Sequence, residues 1–150
     1  MNQLVLEQLI VVQLANYINE HAAEIPLPCL MEIDNSETSG EQLSLFPIGG
    51  GKILRQYVDG DYIGNFPFAI NYQLSPAAIS GEYAKLYIPL WNISNFLEKV
   101  KRFEFPYAQI QSIEMTGLPV EYKRESDGVK INQAKFNLKY YKQKQEEKIK

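Results

Sequence analysis

A long alternation of large and small side chains constrains the fold of this chain more than any other feature. It runs from Tyr62 to Leu74, and its large members are Tyr62, Phe66, Phe68, Ile70, Tyr72 and Leu74. A period of two residues is that of a β-strand with one buried face. The stretch therefore predicts a long strand whose large side chains enter the core.

Pro67 lies within this stretch, on the face opposite the large side chains. Proline cannot donate a backbone hydrogen bond, so it is unfavourable in the middle of a sheet. Its presence predicts one of three arrangements: an edge strand, a bulge, or a backbone nitrogen that faces away from the neighbouring strand.

Two Asp-Gly dipeptides predict tight turns between strands. Asp59 and Gly60 precede the long strand, and Asp127 and Gly128 precede an apolar stretch near the C terminus. Glycine readily adopts the positive φ that the favoured two-residue hairpin turns require. Each dipeptide is therefore expected to form a structural turn between antiparallel strands.

A two-residue turn at the first dipeptide would also fix the register of its hairpin. It would place Tyr57 opposite Tyr62 and Ile53 opposite Phe66. In that register the long strand keeps its large side chains on the core side.

Two other segments have the apolar spacing of helices. The first, from Leu4 to Ile18, is interrupted by polar residues such as Glu7 and is preceded by no basic segment, so it predicts a helix and not a signal peptide or membrane anchor. The second is strongest from Pro89 to Lys101, with Pro89 suited to the first helical turn. Helices and antiparallel strands together predict the α+β class.

The length of 150 residues corresponds to one ordinary domain. The expected architecture is a single α+β domain over residues 1–141, in which a mostly antiparallel sheet is packed by an N-terminal and a central helix. Residues 142–150 are polar and charged and predict a C-terminal tail without a core of its own. The net charge of -3 gives no electrostatic reason to expect nucleic acid or an anionic membrane as a partner.

Residues that could carry chemistry are scarce. The Gly-Gly-Gly-Lys run at 49–52 is not a phosphate-binding loop, because Phe46 and Ile53 stand where that motif needs a glycine and a hydroxyl residue. The single histidine, His21, is expected at a helix C terminus, and the single cysteine, Cys29, as a small buried side chain. The sequence therefore predicts no catalytic residue, cofactor or metal site.

An interface between protein chains explains these features better than an active site does. The wide apolar band of the first helix, a proline in a strand that could lie at an edge, and a polar, charged tail without a core make better sense if some of their surface meets another subunit. The candidate interface residues are Tyr57, Tyr62, Pro67, Lys142 and Lys144.

Several pieces of the sequence carry a resemblance to a known family. They are the turn at Tyr57–Gly60, the Phe-Pro-Phe-Ala strand at Phe66–Ala69, the turn at Asp127 and Gly128, and the closing Phe-x-Leu-x-Tyr pattern. With the apolar helix LWNISNFLEKV between them, these pieces resemble a family of tailed-bacteriophage minor capsid proteins that are regarded as tail terminators.

The resemblance implies a structural protein of the virion rather than an enzyme. Such a subunit closes into a ring, usually of six copies, on the head-proximal end of the tail tube, where it stops tube growth and offers a surface to the head connector. Its partners would be copies of itself, the tail tube protein and connector proteins. It would be assembled in the host bacterial cytoplasm and end in the tail or neck. Three alternatives remain open: another head–tail connector or neck protein, a small ligand-binding module that uses the aromatic face, and an enzyme of unfamiliar type with titratable residues gathered in a cleft.

Overall fold

Two helices and eight strands make up the described part of this computed structural model, which covers residues 3–33, 41–74, 84–99, 103–105, 108–124 and 130–143. The helices are α1 (Gln3–Glu20) and α2 (Ala84–Lys99). The strands are β1 (Met31–Ile33), β2 (Gln42–Pro47), β3 (Lys52–Gln56), β4 (Tyr62–Leu74), β5 (Phe103–Phe105), β6 (Ala108–Met115), β7 (Val120–Arg124) and β8 (Lys130–Lys142). The predicted α+β fold is confirmed.

All of these strands belong to one sheet, whose main path is β1-β2-β4-β8-β6-β5. The strand β3 pairs with β4 on the same side as β2, and β7 pairs with β8 on the same side as β6. The centre of the sheet is the antiparallel ladder between β4 and β8, which runs without a break from Tyr62 and Lys142 to Leu74 and Lys130. Every described strand pair is antiparallel except β1 with β2.

One face of this sheet carries the helices and the hydrophobic core. The helix α1 packs on β1 and β2, whereas α2 packs on β4, β6 and β8. The helices also meet each other, since the rings of Tyr17 and Phe96 lie 5.7 Å apart. The predicted inward face of β4 is confirmed, because Phe66, Phe68 and Ile70 are all buried.

The second helix departs from prediction at Pro89. The structure places this residue inside α2, well past the first turn. A proline there costs one helical hydrogen bond. The helix continues through it because the neighbouring side chains of Leu90, Ile93 and Leu97 are fully buried on the sheet.

Pro67 is tolerated within β4 because the strand pairing on one side of it is interrupted. Because β4 is a central strand, the edge-strand interpretation of Pro67 is wrong. Its carbonyl accepts a hydrogen bond from the Ile48 amide at 3.1 Å, where β2 ends. Because the N and O of one strand residue point to the same side, the Pro67 nitrogen faces the interruption between β2 and β3. Gly49 and Gly50 bend the chain there, with φ of 92° and 81°.

The first Asp-Gly dipeptide forms a turn, but a longer one than the sequence predicts. The Tyr57 amide donates to the Asp61 carbonyl at 2.8 Å, which leaves three residues in the loop. Gly60 has the expected positive φ, at 96°. A three-residue loop that ends in a left-handed glycine is the next commonest hairpin after the two-residue turns.

The predicted register of this hairpin is consequently wrong. Tyr62 lies opposite Gln56 instead of Tyr57, and Ile53 lies opposite Gly64 instead of Phe66. A register shift between Ile53 and Arg55 adds to the effect of the longer loop. The second dipeptide, Asp127 and Gly128, falls outside the described residues.

Gly60→Val is expected to lower the free energy of unfolding by about 1–3 kcal/mol, because a β-branched side chain is strained at a positive φ. The matched control is Gly117→Ala, since a Cβ at Gly117 would meet nothing within 4 Å. Chemical denaturation of both variants measures the difference. A Gly60→Val protein as stable as the control would contradict the left-handed turn.

The two halves of the sheet repeat one another. A shift of 68 residues, which carries Asp59 onto Asp127, also carries β3 onto β7 and β4 onto β8 with identical bounds. The register shift between Ile53 and Arg55 recurs between Glu121 and Lys123, at the equivalent positions. The two halves are therefore the same structural unit, used twice.

The gap in strand pairing between β2 and β3 also recurs after the shift of 68 residues. The Ile48 amide bonds to the Pro67 carbonyl at 3.1 Å, and the equivalent Thr116 amide bonds to the Lys135 carbonyl at 2.8 Å. Each interruption separates the two strands that flank one long central strand: β2 and β3 beside β4, and β6 and β7 beside β8.

A half-turn rotation about an axis through the centre of the β4–β8 ladder exchanges these two units. The axis passes between Phe68 and Phe136, which are equivalent under the shift and lie opposite each other. Their rings stack at 5.1 Å between centroids. We call this axis the pseudo-dyad. It is broken at the outer strands, because β1 is parallel to β2 whereas β5 is antiparallel to β6.

Candidate protein interface

A group of exposed apolar side chains lies at one corner of the β-sheet, which we call the β3 corner and define as β3 with the turn 57–61. All five residues of β3 are exposed. Ile53 and Leu54 are each 45% exposed, and Val58 in the turn is fully exposed. Edge strands of monomeric proteins usually shield such side chains, and apolar exposure of this kind marks interaction surfaces.

An aromatic side chain at this corner is held in place by its neighbours. The guanidinium of Arg55 lies over the Tyr57 ring, 5.2 Å from its centroid. The ring of Tyr141 also lies near, 6.3 Å from that of Tyr57 between centroids. A tyrosine fixed before binding loses less conformational freedom when a partner covers it. Tyr57 therefore has the properties of an anchor for a protein contact.

The turn itself is tied to the central strand β8. The Tyr141 hydroxyl donates to the Asp61 carboxylate. Within the turn, the Asp59 carboxylate accepts from the Asp61 amide at 3.0 Å. These bonds hold the turn against the sheet.

The hydrogen bond to Asp61 changes the pKa of Tyr141, which can be measured. The hydrogen bond to this carboxylate, with some burial and the nearby negative charge, raises the pKa of Tyr141 to about 12. Because the raised pKa favours the neutral hydroxyl in the folded state, its contribution to stability is present below the usual tyrosine pKa near 10 and is lost as pH rises towards 12.

Spectrophotometric titration of tyrosinate in the parent protein should include a late step from Tyr141, beside those of Tyr17, Tyr62 and Tyr72, whose pKa values are also raised by burial. That late step should be absent from Tyr141→Phe and should move to lower pH in Asp61→Asn. A parent curve indistinguishable from that of Tyr141→Phe would contradict the hydrogen bond.

The structure places the candidate interface residues in three different settings. Tyr57 lies exposed in the β3 corner, whereas Tyr62 and Lys142 form the pair at the end of the β4–β8 ladder beside it. Pro67 lies partway along β4, on the face without the helices. Lys144 is outside the described residues.

Lys142 differs from the sequence expectation in its burial. It is the last residue of β8 and only 7% exposed, although the sequence places it at the start of the polar tail. Burial lowers the pKa of its ammonium group, against the opposing influence of the nearby Asp61 carboxylate. Its Nζ donates to the Gln143 carbonyl at 2.9 Å.

Sequence reasoning missed Arg55, Asp61 and Tyr141, which organise the corner. No local pattern marks them, because each acts through a cross-strand neighbour whose identity depends on the hairpin register. The one sequence feature that points to any of these three residues is the pair of consecutive tyrosines, Tyr140 and Tyr141, at the end of β8.

Titratable groups in the described part of the chain do not converge into a recognisable reaction centre. Burial raises the pKa of both Glu7 and Tyr62, which lie near each other beneath the β3 corner. His21 packs its ring against Tyr17, 4.6 Å away, where it bridges to α2. Burial, followed by nearby carboxylates, raises the pKa of the Cys29 thiol, which keeps it protonated. Among the described residues, no group of three or more His, Cys, Asp or Glu could hold a metal ion.

A buried polar side chain in the described part of the chain makes no hydrogen bond to another protein group. Asn132 on β8 is fully buried, and neither its amide nitrogen nor its carbonyl oxygen is bonded. It lies opposite Tyr72, whose hydroxyl donates instead to the Glu41 carboxylate. The pseudo-dyad relates Asn132 to Gly64, so this is a point where the two units have diverged.

Comparison with known proteins gives no match for the chain, neither to a protein-family model nor to a curated protein. Neither helix in the described part combines the length and the hydrophobicity needed to span a bilayer. The features that bear on function are thus the ones described above, with the β3 corner foremost among them.

Proposed function

We propose that this chain is a structural component of a bacteriophage tail that closes into a ring, with six copies, at the head-proximal end of the tail tube. There it stops tube polymerisation and provides the surface to which the head is joined. The observation that supports this most is the β3 corner, where apolar side chains are exposed on a rigid edge strand and Tyr57 is held in place beside them.

The chemistry of that corner favours binding over catalysis. It offers a tyrosine and an arginine, two residue types enriched at the centre of protein interfaces, beside exposed aliphatic side chains. A tail terminator needs such contacts with its neighbours, with the tube and with the connector. The resemblance of the hairpin and of the closing strand to minor capsid proteins supports the phage context.

Light scattering and electron microscopy of the purified protein test the ring. The expected mass is six times that of the 17.2 kDa subunit, and images should show rings of uniform diameter. A protein that remains monomeric at high concentration would contradict the assembly on which this function depends.

Disruption of the gene in cells that produce the phage tests the terminator role. A terminator occupies the growing end of the tube, so its loss should give tubes of abnormal length and heads without tails. Complementation with the intact gene is the control. Tails of normal length that still join heads would exclude termination and leave another neck or connector function.

A further inference from the structure

We propose that the ring contact joins the β3 corner of one subunit to the opposite corner of the next, so that the sheet continues from copy to copy. We call that opposite surface the β7 corner and define it as residues 118–124. The inference rests on the ring proposed above and adds which two surfaces of the chain meet.

The first argument is the equivalence of the two edges. The pseudo-dyad carries β3 onto β7, so the molecule presents the same edge twice, at diagonally opposite ends of its central ladder. Among the described strands, β3 pairs only with β4 and β7 pairs only with β8. No other described strand covers the outer side of either, so each could accept a further strand, which is the usual route of edge-to-edge association.

The second argument is the apolar character of both corners. Ile53 and Leu54 are each 45% exposed in the β3 corner, and Leu118 and Val120 are 68% and 56% exposed in the β7 corner. Pairing of the two edges would cover these four side chains. A monomer would leave them in water, at a cost of about 25 cal/mol for each Å² of apolar surface.

The third argument is the geometry of repetition. An edge that pairs antiparallel with its own copy closes at two subunits, because the contact is symmetric. Two equivalent edges on one chain remove that limit, since β3 of each copy meets β7 of the next and the contact recurs.

Closure into a ring then depends on the angle between two approximate two-fold axes, the pseudo-dyad within a subunit and the axis that relates β3 to β7 at each contact. Two such axes that intersect at a given angle combine to a rotation of twice that angle. A sixfold ring therefore needs successive axes that meet at an inclination of about 30°.

The charges favour this pairing over a contact between two β3 strands. Lys52 and Arg55 lie on the same face of β3, since their partners on β4 are Asn65 and Ile63. In a β3–β3 pair these two cations would face the same two cations of the second copy, which is destabilising. The position equivalent to Lys52 is occupied in β7 by Val120, so a β3–β7 pair removes one of these oppositions.

Two single variants of the full-length chain test the proposal. Ile53→Glu places a carboxylate on the β3 edge, and Val120→Glu places one on the β7 edge. Each variant alone should be monomeric at a concentration at which the parent forms rings. A one-to-one mixture should form a heterodimer and nothing larger, because it contains one intact β3 edge and one intact β7 edge that can meet. Val12→Glu, on an exposed position of α1, is the matched control and should assemble like the parent.

The outcomes separate this inference from the ring itself. If the parent forms rings and both variants do too, the ring function stands and the edge contact is wrong. If only one variant fails to assemble, the β3 and β7 edges do not meet each other, and the proposal is overturned. A monomeric parent removes the ring and this inference together. Circular dichroism verifies folding, and Leu54→Glu or Leu118→Glu replaces a variant that does not fold.

Discussion

Phe68→Ala is expected to lower the free energy of unfolding by about 3–5 kcal/mol, the usual cost of removing a buried aromatic ring. Phe68 is fully buried at the pseudo-dyad, and its ring stacks on Phe136 at 5.1 Å. The cavity would open at the centre of the β4–β8 ladder, where neither strand can move without breaking its pairing. Denaturant unfolding measures the loss directly.

Because the pseudo-dyad relates Phe68 to Phe136, the same prediction can be tested at both residues. Phe136→Ala removes the equivalent ring and should cost a similar amount, whereas the double variant should cost less than the sum, because both changes delete the same stacking contact. Val12→Ala, at an exposed helix position, serves as the control and should stay within about 0.5 kcal/mol of the parent. An unfolding midpoint of Phe68→Ala that matches this control would show that the core is placed wrongly.

Gly64→Val is expected to lower the free energy of unfolding by about 3 kcal/mol, from overpacking near one end of the same ladder. A Cβ at Gly64 would lie 2.5 Å from the hydroxyl oxygen of Tyr140 and 2.6 Å from its Cζ. Tyr140 is fully buried across the strand from Gly64, so its ring has no free space into which to move.

A double-mutant cycle separates this clash from other effects of the substitution. Tyr140→Leu has its own cost, but it should reduce the further penalty of Gly64→Val, because the hydroxyl and the ring are gone. Equal penalties for Gly64→Val in the parent and in Tyr140→Leu would contradict the close approach. Gly117→Val, where a Cβ meets no neighbour within 4 Å, controls for the lost freedom of glycine.

Local periodicity predicted the main elements of the fold but not their register. The helix α1 and the strand β4 follow from apolar spacing within single segments, and burial of Phe66 and Phe68 confirms the face that the alternation predicts. The hairpin register could not be predicted, because it depends on a three-residue loop and on a shift near Leu54. Both are decided by pairing between strands rather than by the turn residues.

The internal repeat left only a faint signal in the sequence. When 42–74 is aligned with 110–142, seven of the 33 pairs are identical, and they include the Asp-Gly turn and the phenylalanine at the pseudo-dyad. Most core positions differ between the units, as Gly64 and Asn132 do. The β3 corner was predicted only through Tyr57, since exposure of Ile53 and Leu54 follows from the position of β3 at the edge of the sheet.

The sequence differences between β4 and β8 also select which strands pair while the chain folds. In the native ladder Phe66 is opposite Leu138, and Ile70 is opposite Ala134. Two β4 strands from different chains would set Phe66 against Ile70 twice and overfill the core, whereas two β8 strands would set Leu138 against Ala134 twice and leave voids. Repeated units are prone to exchange strands between molecules. The unequal volumes of the two strands oppose that exchange and direct each chain to complete its own sheet.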